Sequence, residues 1–172
     1  LAGAASTCNQ LAIVAERADR GAEAEGWYKR ALELDAQVRP DSLEQAQHLN
    51  NLADLLVKEV RAGHIPLEQL AEAHGYAAVA LALKEPLDAS AEIWTTLNIL
   101  AAIAEMEGQA EAARAYRYRE HETYAAFAGN RYHIDRQCGR LIHNVVAATR
   151  GDAQLRAKVE EALPEFEKDG WQ

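Results

Sequence analysis

Three asparagines recur in one local setting: Cys8-Asn9-Gln10-Leu11-Ala12, Leu49-Asn50-Asn51-Leu52-Ala53 and Leu97-Asn98-Ile99-Leu100-Ala101. A side-chain amide both donates and accepts hydrogen bonds, so a row of them can bracket a peptide backbone without reading its sequence. The plain alternative is that each amide caps or bridges neighbouring helices. Other residues capable of chemistry are scattered. His133, Asp135 and Cys138 form the tightest cluster, but His133 and Cys138 are five apart and share no helical face. No second pair completes the four ligands of a structural zinc site. His121-Glu122 lacks the second histidine of a metalloprotease helix. His48, His64, His74 and His143 stand alone and read as satisfied or solvated side chains.

Nucleophile and phosphate motifs are missing. There is no Gly-x-Ser-x-Gly, no phosphate loop and no Gly-x-Gly-x-x-Gly. Cys8 occupies an apolar slot of the repeated motif and reads as a packed thiol. The paired carboxylates Glu23/Glu25, Glu105/Glu107 and Glu160/Glu161 lie on polar helix faces and read as solvated. Trp27, Trp94 and tyrosines 116, 118, 124 and 132 read as fillers between helices. In Tyr116-Arg117-Tyr118-Arg119 some side chains must point outward, which makes a second, weaker partner surface. We therefore expect no catalytic residues, no metal, no cofactor and no enzymatic activity.

The elements that position the asparagines are helices. The chain has 36 alanines, no long β-branched run and no Asn-Gly or Asp-Gly hairpin signal. Periodicity predicts eight helices. The first covers about 5–18, with Leu11, Val14, Ala15 and Ala18 on its inner face, and Gly21 breaks it. The second runs over 22–38 on Ala24, Tyr28, Ala31 and Leu32, up to Pro40. The third opens on the capping box of Ser42 and Gln45. It buries Leu49, Leu52, Ala53, Leu56 and Val60, and stops near Gly63. The fourth opens at Pro66 and ends at Pro86. The fifth starts at about Asp88 or Ser90 and is closed by Gly108. The sixth spans about 109–127, the seventh 131–149, and the eighth runs to about Lys168. Short turns join them into antiparallel hairpins.

Leu11 to Leu52 is 41 residues and Leu52 to Leu100 is 48, while Leu11 to Ala24 and Leu100 to Ala113 are both 13. The second pair is longer, by one or two helical turns near residues 61–70. This regularity, the stretch Ala24-Glu25-Gly26-Trp27-Tyr28 with the residues after it, and Glu105-Met106-Glu107-Gly108-Gln109-Ala110 resemble tetratricopeptide repeats. The Leu49-Asn50-Asn51-Leu52-Ala53 run and long spacing are most similar to the extended repeats of kinesin-light-chain type, common in bacterial multidomain proteins. The resemblance covers about residues 5–128 in three repeats. It departs from the family where Cys8, Leu49 and Leu97 replace the usual Trp and where Ala36 replaces the usual Pro. It implies an all-α, right-handed α-solenoid of helix hairpins. Residues 1–128 would form three repeats, and residues 129–172 a degenerate helical pair capping the stack of a single domain.

In that family the first helix of each repeat lines a concave groove. By resemblance the groove carries Asn9, Ile13 and Arg17, then Asn50, Asn51, Asp54 and Lys58, then Asn98, Ala102 and Met106. We expect Asn50, Asn98, Asp54, Lys58, Asn9, Asn51, Arg17 and Met106 to contact a protein or peptide partner. Asp54 and Glu105 disfavour a clamp for a C-terminal carboxylate, so a basic or mixed peptide, or a helix, fits better. Another region of the same full-length chain is one candidate partner. The alternative function is a self-associating scaffold, a homo-oligomer. The net charge of −9 argues against nucleic acid and anionic membranes. Two distant cysteines, and no apolar run near the ~20 residues of a bilayer span, point to the cytoplasm. The start Leu1-Ala2-Gly3-Ala4-Ala5 lacks Met and a basic n-region, and we expect a fragment of a larger protein.

Overall fold

The computed structural model describes residues 2–87 and 91–127. They form six α-helices and one 3-10 turn: α1 Ala2–Arg17, α2 Gly21–Val38, α3 Leu43–Ala62, the turn Leu67–Gln69, α4 Leu70–Lys84, α5 Ile93–Met106 and α6 Ala110–Phe127. The expected seventh and eighth helices, with the cluster of His133, Asp135 and Cys138, lie outside the described residues. Sequential helices pair as antiparallel hairpins: α1 with α2, α3 with α4, α5 with α6. Successive hairpins then stack, α2 on α3, α4 on α5, and α3 on α5.

Local chemistry sets the ends of these helices. Ser42 Oγ accepts from the Gln45 amide at 3.1 Å and caps α3. Gln45 Oε1 returns to the Asp41 amide at 2.8 Å, one residue earlier than in a standard capping box. Gly63 ends α3 at φ 77°, a left-handed conformation that costs glycine little. Three boundaries differ from expectation. Gly21 is the first residue of α2 rather than the break. The turn is made by Ala18–Arg20, with Asp19 at φ 58°. A Cβ on Gly21 would lie 2.6 Å from the Glu59 carboxylate, so the missing side chain leaves room for that carboxylate. Pro66 leads into the 3-10 turn, and α4 proper starts at Leu70. Helix α5 starts at Ile93, later than Asp88 or Ser90. The longer second hairpin comes from the extra length of α3 and the 3-10 turn.

Alanines hold the core. Ala12, Ala24, Ala31, Ala46, Ala53, Ala73, Ala77, Ala80 and Ala101 have no solvent exposure, which brings backbones together at the crossings. Leu52, Leu55, Leu56, Leu100 and Ile103 fill the space between hairpins, and Tyr28 plugs the first junction. All five predicted core residues of α3 are buried. Helix α1 corrects the reading. Its inner face is Ala5, Cys8, Ala12 and Ala15, whereas Leu11, Val14 and Ala18 face solvent. The helix carries two apolar stripes, and periodicity alone chose the bulkier one. Cys8 packs with Ala5, Ala31, Leu34 and Trp27, as a packed thiol should.

Close crossings leave no room for larger side chains. Ala53→Leu should lower stability by about 1–3 kcal/mol through overpacking, whereas Ala78→Leu on an exposed face should stay within about 0.5 kcal/mol. Urea unfolding followed by helical circular dichroism measures both; equal small effects would contradict the alanine crossings.

Candidate interaction face

Stacking places equivalent positions of α1, α3 and α5 side by side. Asn9 and Asn51 face each other across the first junction, where Asn51 Nδ2 donates to Asn9 Oδ1 at 2.9 Å. Asn9 is buried there. Asn98 accepts from Arg117 Nη1 at 2.7 Å. Asn9 therefore already ties two hairpins together, and Asn98 the two helices of one. Asn50 does neither. It is half-buried, and its Oδ1 is enclosed with no hydrogen-bond partner among the described residues. An enclosed acceptor without a donor costs about 1–3 kcal/mol.

One and two helical turns beyond Asn50 lie Asp54 and Lys58. Lys58 Nζ contacts Asp54 Oδ2 at 2.6 Å and Glu16 Oε1 of α1 at 2.8 Å. The other Glu16 oxygen accepts from Tyr28 Oη at 3.1 Å. Lys58 is thus held by carboxylates from two hairpins. Burial opposes its charge, but the bonds to Asp54 and Glu16 outweigh that and raise its pKa above the ordinary lysine value. Burial, followed by the nearby Glu16, likewise holds the Tyr28 hydroxyl protonated. Arg17 is exposed, and Met106 is half-buried against the core. Glu16 and Tyr28 belong to this site and escaped the sequence reading; the signal was their helical register beside Ile13 and Ala24.

Further polar groups are buried. Arg117 is 5% exposed. It binds Glu105 through Nε–Oε1 at 2.9 Å and Nη2–Oε2 at 3.2 Å, and Glu120 through Nη1 at 2.7 Å. Burial works against the guanidinium charge, but the hydrogen bonds to Glu105 and Glu120 prevail and raise its pKa. Glu105 is therefore engaged rather than simply solvated. In the alternating stretch Arg117 points inward and Tyr116 packs on the core, while Tyr118 and Arg119 face out. His48, expected to be isolated, is buried with its Nδ1 2.7 Å from Asp35 Oδ2.

Forty-nine residues after Asp35 stands Lys84, at the same place in the next hairpin. It is 2% exposed, and its ammonium donates to Thr95 Oγ1 and Thr96 Oγ1, each at 3.1 Å. Burial pushes its pKa down to about 8. Each junction thus has a polar contact at matching positions: Asp35 with His48, then Lys84 with Thr96.

The same arrangement is found elsewhere. A crystal structure of BtubC (BKLC) from P. vanneervenii superposes with a TM-score of 0.61 at 25% identity, over 73% of this chain and 48% of that one. The chain thus spans about half the length of that structure. No family model matches the chain, and no curated protein does. The fold is a tetratricopeptide-like, all-α helical repeat. Among the described residues, no helix is long and apolar enough to cross a membrane.

Two outcomes follow. Arg117→Met removes the buried guanidinium that Glu105, Glu120 and Asn98 share, and should cost about 3–5 kcal/mol in urea unfolding. A loss below about 1 kcal/mol would mean that the carboxylates relax into water. Lys84 gives a pH signature. Its folded pKa of about 8 lies below the ordinary 10.5. Below pH 8 both states are charged, and the full cost of burying the ammonium is present. Between pH 8 and 10.5 the folded state sheds its proton first, so stability rises with pH. Lys84→Met should be the more stable protein at pH 7, by on the order of 2–3 kcal/mol, with its advantage shrinking towards pH 10. A pH-independent difference between the two would refute the buried-ammonium account.

Proposed function

We propose that this chain is a protein-interaction scaffold that holds a peptide or helix along the neighbouring faces of α1, α3 and α5. A helical repeat presents an extended surface assembled from many similar elements, which suits binding rather than catalysis. One observation carries the placement of the site. Among the three in-register asparagines, Asn50 alone has no partner among the described residues, and it is half-buried rather than fully buried. It sits in the middle hairpin, on the same face as Asp54 and Lys58. Its amide oxygen is enclosed, so a ligand would meet the exposed part of the side chain rather than that oxygen.

The ligand this face favours is basic or mixed. Glu16 and Asp54 carry two negative charges against the single charge of Lys58. An incoming Lys or Arg can take one of those carboxylates while Lys58 keeps the other. An incoming carboxylate must instead compete with both. Asn9, Asn51 and Asn98 then act mainly by holding Asn50 and its neighbours in place, and Arg17 and Met106 form the margins.

The test is to pan a displayed random-peptide library against the wild-type chain and measure selected peptides by fluorescence anisotropy. Asn50→Ala and Asp54→Asn should each weaken binding about tenfold, in line with one lost hydrogen bond or charge contact. Tyr118→Ser, on the outward α6 surface, should leave affinity unchanged. Peptides sensitive to Tyr118→Ser and indifferent to Asn50→Ala would move the site to α6. Selected sequences dominated by acidic residues would overturn the charge reading.

A further inference from the structure

Helix α1 carries an apolar stripe that its counterparts bury. Ala4, Thr7, Leu11, Val14 and Ala18 follow helical spacing, and all are exposed. Forty-one residues later the same positions are Gln45, His48, Leu52, Leu55 and Glu59; forty-eight further they are Ile93, Thr96, Leu100, Ile103 and Glu107. Leu52 and Leu55 are 0% and 1% exposed, and Leu100 and Ile103 are 1% and 0%. Leu11 and Val14 are 41% and 57%. What covers the inner pairs is the hairpin stacked before each: α2 lies on α3, and α4 lies on α5. The α1 stripe is equivalent to those interfaces by position, and it is exposed.

The chemistry of α1 agrees. A helix that ends a repeat stack needs a polar outer face. From Ala2 to Ala15, α1 has no charged residue, like α5 from Ile93 to Ala104, which is covered on both sides. Even the polar contact of each junction has its counterpart. His48 meets Asp35 and Thr96 meets Lys84; the equivalent Thr7 bonds only to its own backbone, at Gly3 O, 2.8 Å away.

We propose that the Leu11–Val14 stripe docks one further helix hairpin of this same repeat type, stacked in the register of the two internal junctions. Its second helix would present apolar side chains where Leu32 and Leu81 stand, both packed against the core. A hydrogen-bonding side chain at the position of Asp35 and Lys84 would lie opposite Thr7. This surface is separate from the face of Asn50, Asp54 and Lys58.

The register makes the test concrete. A copy of residues 1–41 joined ahead of the full chain puts Leu1 where Ser42 follows Asp41, so the copy's α2 meets α1 as α2 meets α3. Val14→Ile in the added copy gives its peptides a distinct mass. Hydrogen exchange of the original α1 amides should then slow at least tenfold relative to the unextended chain. Leu11→Asp with Val14→Asp in the original α1 should abolish that protection, while leaving the urea midpoint of the unextended chain nearly unchanged. Unchanged exchange in the extended chain, including the case in which the added copy stays unfolded, overturns the proposal. So does light scattering that finds the unextended chain dimeric and made monomeric by the same two substitutions, because a second copy would then be the occupant.

Discussion

The close approach of alanine-faced helices is the constraint on which the stack depends. Ala12, Ala53 and Ala101 stand at one repeat position, and Ala24, Ala73 and Ala113 at another, all of them buried. A methyl group permits backbones to approach but buries little area, and stabilisation follows apolar area at about 25 cal/mol per Å². Most apolar stabilisation must therefore come from the leucines, isoleucines and Tyr28 between the hairpins. Alanine also says little about register, because one alanine fits another's place almost equally well.

Register is where the buried polar groups matter. Asp35 with His48, Lys84 with Thr95 and Thr96, and Arg117 with Glu105, Glu120 and Asn98 each tie one helix to another. A buried ion pair contributes little more than a well-packed apolar pair, but a buried charge without its partner is costly. Sliding one helix by a turn would keep much of the alanine contact and forfeit these bonds. The first two contacts fall at matching positions of successive hairpins, which fits a device repeated with the fold rather than an accident of one junction. Lys84 shows its cost, because burial loosens its proton while its hydrogen-bond partners among the described residues are hydroxyls.

Much of the architecture was legible in the residues. The in-register Leu52 and Leu100, the capping serine and the glycines and prolines between helices placed six helices close to where they stand, because those signals are local. The inner face of α1 was misread. A period of 3.6 identifies an apolar stripe, and α1 has two; which one is covered depends on neighbours, and no local pattern contains them. The asparagines show the same limit. Asn9, Asn50 and Asn98 are equivalent by motif, yet Asn9 is bound by a residue 42 positions away and Asn98 by one 19 away. Only stacking distinguishes Asn50. Arg117 read as half of an alternating surface pattern, and its burial follows from Glu105 and Glu120 offering two carboxylates at once.

The polar stripe of the middle hairpin inherits its character from this arrangement. Lys58 bridges α1 and α3, so the charges there belong to two hairpins. A change in the angle between those hairpins acts on the Lys58–Glu16 contact, the one of the two that crosses between them. Under the proposed function, a ligand that takes Glu16 from Lys58 would loosen the tie between repeats, whereas one that takes Asp54 would leave it, because Asp54 and Lys58 share α3. The proposed binding at this face and the curvature of the stack would then be coupled through one ammonium group. Exposed charge contacts of this kind contribute little to stability, which leaves them free to be exchanged for contacts with a partner.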